Sequence, residues 1–144
     1  MLAAVDEGMQ GRRGQWAGAA AGAGGRQRLG RWGEDLAADW YLAQGFEVLA
    51  RNWARTTGEV DLVARRGDLL VFCEVKARSC GAFGAPSEAV GRAKQARLRR
   101  MAAIWLAEQR RAAAGPRQCR WSEVRFDVAS VVAGRLVEVV RGAF

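Results

Sequence analysis

Residues 58–78 read GEVDLVARRGDLLVFCEVKAR, two segments rich in β-forming residues on either side of Gly67-Asp68. A Gly-X pair between two such segments is typical of a β-hairpin with a type II′ turn. If the loop contains only these two residues, Arg66 pairs with Leu69. A loop of three to five residues would shift the register, so the pairing of the two strands depends on this turn.

The hairpin carries acidic and basic residues at positions that its register brings together. Counting outward from the turn places Asp61 opposite Glu74 and Glu59 opposite Lys76. Directly opposed side chains have Cβ atoms about 4.5–5.5 Å apart, and alternate residues of a strand share a face. We therefore predict that carboxylates and a lysine lie together at the open end of the hairpin.

The segments on either side complete an α/β pattern. Helical spacing of apolar residues predicts helices over residues 29–45 and about 91–113. Segments rich in β-forming residues predict strands over residues 46–53, 124–132 and 136–140. The order α-β-β-β-α-β-β predicts a three-layer sandwich, in which helices flank a mixed, mostly antiparallel central sheet.

The first 28 residues differ from the rest of the chain. They are rich in Gly and Ala and show no hydrophobic period, so we predict a flexible tail over residues 1–28. Residues 29–144 are then predicted to form one domain, because a chain of 144 residues that is 50% hydrophobic can bury one core.

Composition and charge exclude several functions. The chain has 23 Lys+Arg against 15 Asp+Glu, a formal charge of +8 that favours polyanionic partners such as nucleic acid. The absence of histidine excludes a His general base, a Ser-His-Asp triad and His-ligated zinc. Three cysteines without paired spacing indicate no disulfide framework and fit a cytoplasmic location. No apolar segment reaches the about 18 residues of a membrane span, so no membrane partner is expected.

The acidic pair of the hairpin predicts a metal site. Two unit charges about 5 Å apart repel by about 3 kcal/mol at an effective dielectric of about 20, and a divalent cation removes this repulsion. We therefore predict that Asp61 and Glu74 bind Mg²⁺, for which Mn²⁺ can substitute, and that Lys76 acts on the attacking water or the phosphate. The alternative is a solvated cross-strand ladder of ion pairs, to which Glu59 would also belong.

Two features favour the metal site over the ion-pair ladder. Leu70 and Phe72 precede Glu74 on the same strand face, so this face changes abruptly from apolar to polar. Only two of the 23 basic residues are lysines, Lys76 and Lys94, and a compact ammonium with a tunable pKa differs from a guanidinium.

Further candidates lie on the predicted helices and at the end of the hairpin. Glu34 is either a first-turn acid that suits the helix dipole or a further metal or water ligand. Gln95 aligns with the apolar stripe of its helix, so it either reaches the site or makes a buried hydrogen bond. Four basic side chains are predicted either to bind nucleic-acid phosphates or to form a solvated surface: Arg78, Arg92, Lys94 and Arg97.

A family resemblance is carried by GRWGEDLAADWYLAQGFEVLARNW, by the hairpin, by FGAPSEAV with the following KQARL, and by RFDVASVV. In order and spacing these segments resemble the bacterial YraN family over roughly residues 29–144. That family is a set of small proteins regarded as predicted endonucleases. It looks like a branch of the PD-(D/E)XK superfamily and is similar to archaeal Holliday-junction resolvases.

This resemblance implies a restriction-endonuclease-like fold and a role for each matching residue. Asp61 matches the acidic residue of the superfamily motif, although it stands in GEVD rather than after a proline. Glu74 and Lys76 match the ExK of the motif, and Glu34 matches a glutamate of the N-terminal helix. Gln95 falls where related nucleases keep a polar residue. The resemblance thus implies that these five residues are catalytic and that Asp61, Glu74 and Glu34 bind metal.

The expected function is metal-dependent hydrolysis of phosphodiester bonds in DNA, which would be branched, flapped or single-stranded. A resolvase role would require a homodimer that presents two sites. One alternative is a non-catalytic nucleic-acid-binding module of the same fold, whose binding would depend on salt and not on metal. Another is a protein-interaction domain in a DNA repair or uptake complex, which would not bind polyanions at moderate salt.

Overall fold

The computed structural model describes residues 2–3, 23–78, 90–113 and 121–144. Two helices and six strands follow one another along these ranges. They are β1 (Leu2–Ala3), α1 (Ala23–Ala43), β2 (Glu47–Arg55), β3 (Gly58–Arg66), β4 (Leu69–Arg78), α2 (Arg92–Ala112), β5 (Glu123–Val132) and β6 (Arg135–Val140). Neither of these two helices combines the length and the hydropathy that crossing a membrane requires.

The strands form one open sheet in the order β1-β6-β5-β4-β3-β2. Among the described strands only β4 and β5 are parallel neighbours, because the chain returns between them through α2. The other neighbours are antiparallel. The predicted mixed, mostly antiparallel sheet flanked by helices is therefore confirmed, and the predicted order of elements holds from α1 to β6.

The central hairpin has the predicted two-residue turn. Arg66 pairs with Leu69, and Gly67 has a φ of +58°, as the first central residue of a type II′ turn requires. The ladder between β3 and β4 continues in the predicted register as far as Leu62 and Cys73. The local sequence of the turn thus sets the pairing of the strands that carry the candidate site.

The sheet separates two apolar clusters. On one face, α1 packs against a cluster that includes Tyr41 and Val71. On the other face, α2 packs against a cluster that includes Met101 and Phe72. Burial of apolar area stabilises a fold by about 25 cal/mol per Å², so both helices hold the sheet mainly through these stripes.

The first helix begins earlier than the sequence predicts. It starts at Ala23, inside the segment predicted to be a tail, and its first turns are largely exposed. Solvated turns have no apolar period, so periodicity cannot locate them even where Arg, Gln and Leu favour a helix. The strand β1 also falls in this segment and pairs with β6 through Leu2 and Val140. The rest of the predicted tail lies outside the described residues.

One fully buried carboxylate, that of Asp127 on β5, joins three parts of the fold. It accepts hydrogen bonds from Tyr41 Oη at 2.6 Å, from the Arg125 guanidinium at 2.8 and 2.9 Å, and from the Gly142 N–H at 3.0 Å. Burial of the Tyr41 hydroxyl raises its pKa well above the usual value, so it remains a donor. Asp127 therefore has a structural role, linking α1, β5 and the C-terminal segment.

Candidate active site

The alternation of side chains along β3 breaks at Asp61. Val60 and Val63 pack on the α2 face of the sheet, whereas Leu62 and Ala64 pack on the α1 face. A regular strand would place Val60 and Leu62 on the same face. Simple alternation predicts that Glu59 and Asp61 share a face. Because alternation is interrupted at Asp61, it no longer supports this prediction.

A second irregularity lies opposite this break, on the neighbouring strand β2. Arg51 pairs with Leu62 and Trp53 pairs with Val60, so the register sets Asn52 opposite Asp61. Asn52 has a φ of +48°, the left-handed region that Asn tolerates better than most residues. A left-handed residue within a strand rotates the chain between its two neighbours, and such irregularities are frequent near active sites.

At the same point β3 separates from β4. The main-chain ladder ends at Leu62 and Cys73. Beyond this point the Asp61 carboxylate bonds to the main chain of β4. Its Oδ2 atom accepts a hydrogen bond of 2.7 Å from the Val75 N–H. The ladder therefore includes neither the predicted Asp61–Glu74 pair nor the predicted Glu59–Lys76 pair, although Glu59 still pairs with Ala54 of β2. The hairpin is therefore open at the end where its acidic residues lie.

The Asp61 carboxyl has an unusual pKa, which is raised from 3.8 to about 7. Burial is the largest cause, and the charge of Glu74 is the next. The hydrogen bond from Val75 opposes the shift, whereas the charges of Glu34 and Glu59 add to it. A carboxyl that is held partly protonated by burial and by like charges is typical of functional sites.

The second carboxylate, Glu74, follows apolar residues on β4 as the sequence predicts. Leu70 and Phe72 belong to the cluster under α2, and Glu74 continues their face. Only 9% of the Glu74 side chain is exposed, and its Oε1 atom forms an ion pair with Lys94 Nζ of α2. Lys94, predicted to bind a phosphate, therefore contacts an acid in this structure.

The third carboxylate reaches the site from α1. A Cβ atom on Gly33 would lie only 3.0 Å from Ala77 Cβ, so this part of the helix packs directly on β4. Glu34 follows, and its Oε2 atom accepts a hydrogen bond of 2.7 Å from Asn52 Nδ2. Sequence reasoning missed Asn52 as a site residue, and nothing in the local pattern of residues 47–55 singles it out.

Lys76 lies on the strand that carries Glu74, whereas Gln95 lies in the first turn of α2. Lys76 lies two residues after Glu74 on β4, half-buried, beside Ser130 of the parallel strand β5. Gln95 donates a hydrogen bond of 2.8 Å from Nε2 to the Val90 carbonyl, which is one of the two roles weighed for it. Its amide nitrogen thus holds the chain that enters α2, and a catalytic role for Gln95 stays a prediction.

Three of the four basic residues predicted to bind nucleic acid lie in the first two turns of α2, and the fourth, Arg78, ends β4. Arg92 begins the helix and is exposed, as is Arg97. The aliphatic part of Arg97 also covers Gly58, where a Cβ atom would lie 3.1 Å from Arg97 Cδ. Arg78 is half-buried at the end of β4. Arg97 and Arg78 thus lie at the open end of the hairpin, where β3 begins and β4 ends.

If a metal binds at this site, Asp61 and Glu74 are the two carboxylates that would hold it. Among the residues that the structure describes, no group of three or more His, Cys, Asp and Glu side chains is arranged to hold an ion. Asp61 and Glu74 are close enough for one charge to raise the pKa of the other group. Mg²⁺ is often bound by one or two carboxylates, with waters and substrate phosphate completing its shell. Glu34, predicted as a further ligand, is not grouped with the pair here.

The fold and the site define a mixed α/β protein with an acidic centre beside a basic helix. The model of a family described as "Uncharacterised protein family UPF0102" matches residues 33–131, so the chain belongs to the UPF0102 family. A UPF0102 protein of Parafrankia sp. (strain EAN1pec) is 51% identical over 122 residues, which cover 82% of this chain and 97% of the relative. A UPF0102 protein of Beutenbergia cavernae is 50% identical over 121 residues, covering 81% and 96%. The names of these relatives state no activity.

Proposed function

We propose that the protein is a metal-dependent nuclease that hydrolyses phosphodiester bonds of DNA, with Mg²⁺ as its cofactor and Mn²⁺ able to substitute. The observation that carries the proposal is the pair of acids at the open end of the hairpin: the half-buried Asp61 carboxylate accepts a hydrogen bond from the Val75 N–H, next to the nearly buried Glu74. Burial and the charge of Glu74 raise the pKa of Asp61, which agrees with this arrangement. The resemblance to the YraN family, and through it to PD-(D/E)XK nucleases, supports the same reading. Both lines of support converge on the open end of one hairpin.

Each acidic residue has a distinct part in this proposal. Asp61 and Glu74 would hold the ion, and Glu34, oriented by Asn52, would act through a water or a second ion. When bound, Mg²⁺ supplies Lewis-acid stabilisation of charge that develops on the phosphate. Lys76 would orient the attacking water or stabilise charge on the scissile phosphate, since it lies on the same strand as Glu74.

The substrate class follows from charge. A formal charge of +8 and the exposed Arg92 and Arg97 beside the site suit a polyanion whose backbone is contacted without reading its sequence. Branched, flapped or single-stranded DNA would expose a backbone to this surface, and a resolvase role would add a second copy of the chain. A cytoplasmic location stays part of the proposal.

A non-catalytic nucleic-acid-binding module is the second candidate, and one observation favours it. Glu74 is paired with Lys94, and Glu34 accepts a hydrogen bond from Asn52. Asp61 also accepts a hydrogen bond from the Val75 N–H, so all three acids have protein partners. If these contacts persist when DNA binds, the acids only shape the surface.

A calorimetric titration with Mn²⁺ in the presence of an uncleavable oligonucleotide distinguishes the two. We expect wild type to bind Mn²⁺ and the double variant Asp61→Asn/Glu74→Gln to lose that binding. The matched control is Asp35→Asn/Glu47→Gln, which removes the same two charges from exposed ion pairs with Arg51 and Arg65. Absence of binding in folded wild type, or equal loss in the control, would favour the non-catalytic module.

A further inference from the structure

The ion pair between Lys94 and Glu74 differs from the other ion pairs that the described residues form on the surface. Arg55–Glu108 and Arg65–Glu47 join side chains that are each at least one-third exposed. Glu74 is nearly buried, and its partner reaches it from the first turn of α2 with a half-exposed stem. A buried carboxylate without a counter-charge is costly, so this contact has more weight than a surface pair.

The position of the ammonium is also informative. Lys94 Nζ contacts Oε1 of Glu74, and the Asp61 carboxylate accepts its hydrogen bond from Val75, the residue that follows Glu74 on β4. The single ammonium therefore balances the charge of only one of two neighbouring carboxylates. A divalent cation shared by both carboxylates would neutralise them together, and its charge would repel the ammonium that lies against Glu74.

We propose that Lys94 is an exchangeable counter-cation of Glu74, which neutralises this carboxylate in the metal-free protein and leaves it when a divalent cation binds to Asp61 and Glu74. This inference rests on the proposed metal site, and it adds a residue that competes with the metal. The side chain of Lys94 is half-exposed and its charge lies at the end of a flexible stem, so the ammonium can move into solvent without unfolding α2. The protein then stays folded without metal although its site is acidic.

The first test is the Mn²⁺ affinity of Lys94→Met, measured by calorimetry without nucleic acid. Removal of the competing ammonium is expected to tighten Mn²⁺ binding about ten-fold, since a hydrogen-bonded charged partner no longer has to be displaced. Lys94→Arg keeps the charge and should stay near the wild-type affinity. An affinity of Lys94→Met that is unchanged, or weaker than that of wild type, would overturn the exchange.

A matched control separates the contact from the general effect of charge. Arg97→Met removes one positive charge from the next turn of the same helix, where the side chain covers Gly58. If it tightens Mn²⁺ binding as much as Lys94→Met does, long-range electrostatics account for both and the exchange is refuted. A clearly larger effect of Lys94→Met supports it.

The second test needs no metal. In the presence of a chelator at pH 8, Lys94→Met is expected to lower the midpoint of urea unfolding, because Glu74 is left charged and unpaired. In a Glu74→Gln background the same substitution should have little effect. Equal effects in both backgrounds would show that Lys94 does not neutralise Glu74.

The two tests keep this inference separate from the proposed function. If wild type binds Mn²⁺ but Lys94→Met behaves like wild type, only the exchange fails. In the other case wild type binds no Mn²⁺, while Lys94→Met destabilises the wild-type protein and leaves the Glu74→Gln variant unchanged. The metal site and the exchange then both fail, and Lys94 is a permanent partner of Glu74.

Discussion

Two aspartates of the same sheet, Asp127 on β5 and Asp61 on β3, have opposite surroundings. Asp127 is fully buried, yet it accepts four hydrogen bonds, two of them from a guanidinium. Asp61 is only half-buried, accepts one hydrogen bond from a main-chain N–H, and faces other carboxylates. The more deeply buried acid is thus the better stabilised one.

The difference shows why burial alone does not identify a functional acid. Donors that surround Asp127 leave no position for a ligand, so its charge is used to hold the fold together. Like charges around Asp61 leave a deficit of positive charge that a ligand or a proton can fill. The same residue type therefore acts as a structural link in one place and as a candidate ligand in the other.

The largest effect that would test this contrast is expected for Asp127→Ala. Its removal leaves the Arg125 guanidinium, the Tyr41 hydroxyl and the Gly142 N–H without their acceptor, so we expect a loss of about 3 kcal/mol or more in the free energy of unfolding. Urea unfolding monitored by circular dichroism measures it. A loss below about 1 kcal/mol would mean that water replaces the carboxylate and that the network is not structural.

A smaller, pH-dependent effect of opposite sign is expected for Asp61→Asn. Because the pKa is raised from 3.8 to about 7, the folded state binds more protons than the unfolded state between these values, and the stability of wild type falls as pH rises through this range. Asparagine retains an acceptor for Val75 and carries no charge. We expect it to gain about 1–2 kcal/mol relative to wild type between pH 4 and pH 8, less than the full shift implies because the carboxyl is partly solvated.

Urea unfolding of both proteins across this pH range is the measurement. Asp39→Asn, which removes an exposed carboxylate from α1, is the control and should show no comparable trend. A constant difference between Asp61→Asn and wild type over the whole range would show that Asp61 is an ordinary solvated acid. The contrast with Asp127 would then be one of burial only.

The smallest effect concerns the distortion beside Asp61. Asn52 adopts a left-handed conformation and orients Glu34, so Asn52→Ala should lower the free energy of unfolding by about 1 kcal/mol, through backbone strain and a lost hydrogen bond. Asn52→Gly loses the same hydrogen bond without the strain and should be more stable than the alanine variant. Thermal unfolding compares the two, and equal stabilities would indicate that the strand relaxes at this position.

Much of the fold follows from local sequence. The Gly67-Asp68 turn and its flanking β-rich segments predict the hairpin register, since a two-residue loop leaves one pairing. Apolar periodicity predicts the two helices, although the exposed first turns of α1 escape it because they bury nothing. From the register alone, Asp61 and Glu74 are expected to be neighbours, and the influence of Glu74 on the pKa of Asp61 agrees with this.

What the sequence alone determined is therefore the order of elements from α1 to β6 and the register of the hairpin from its turn to Leu62 and Cys73, because a two-residue turn leaves one pairing. Tertiary structure alone decided which distant side chains meet the acids beyond that point. Packing of Gly33 on β4 brings Glu34 to Asn52, and packing of α2 on the opposite face brings Lys94 to Glu74. No local pattern encodes these contacts, because each depends on where a helix settles on the sheet when its apolar stripe is buried.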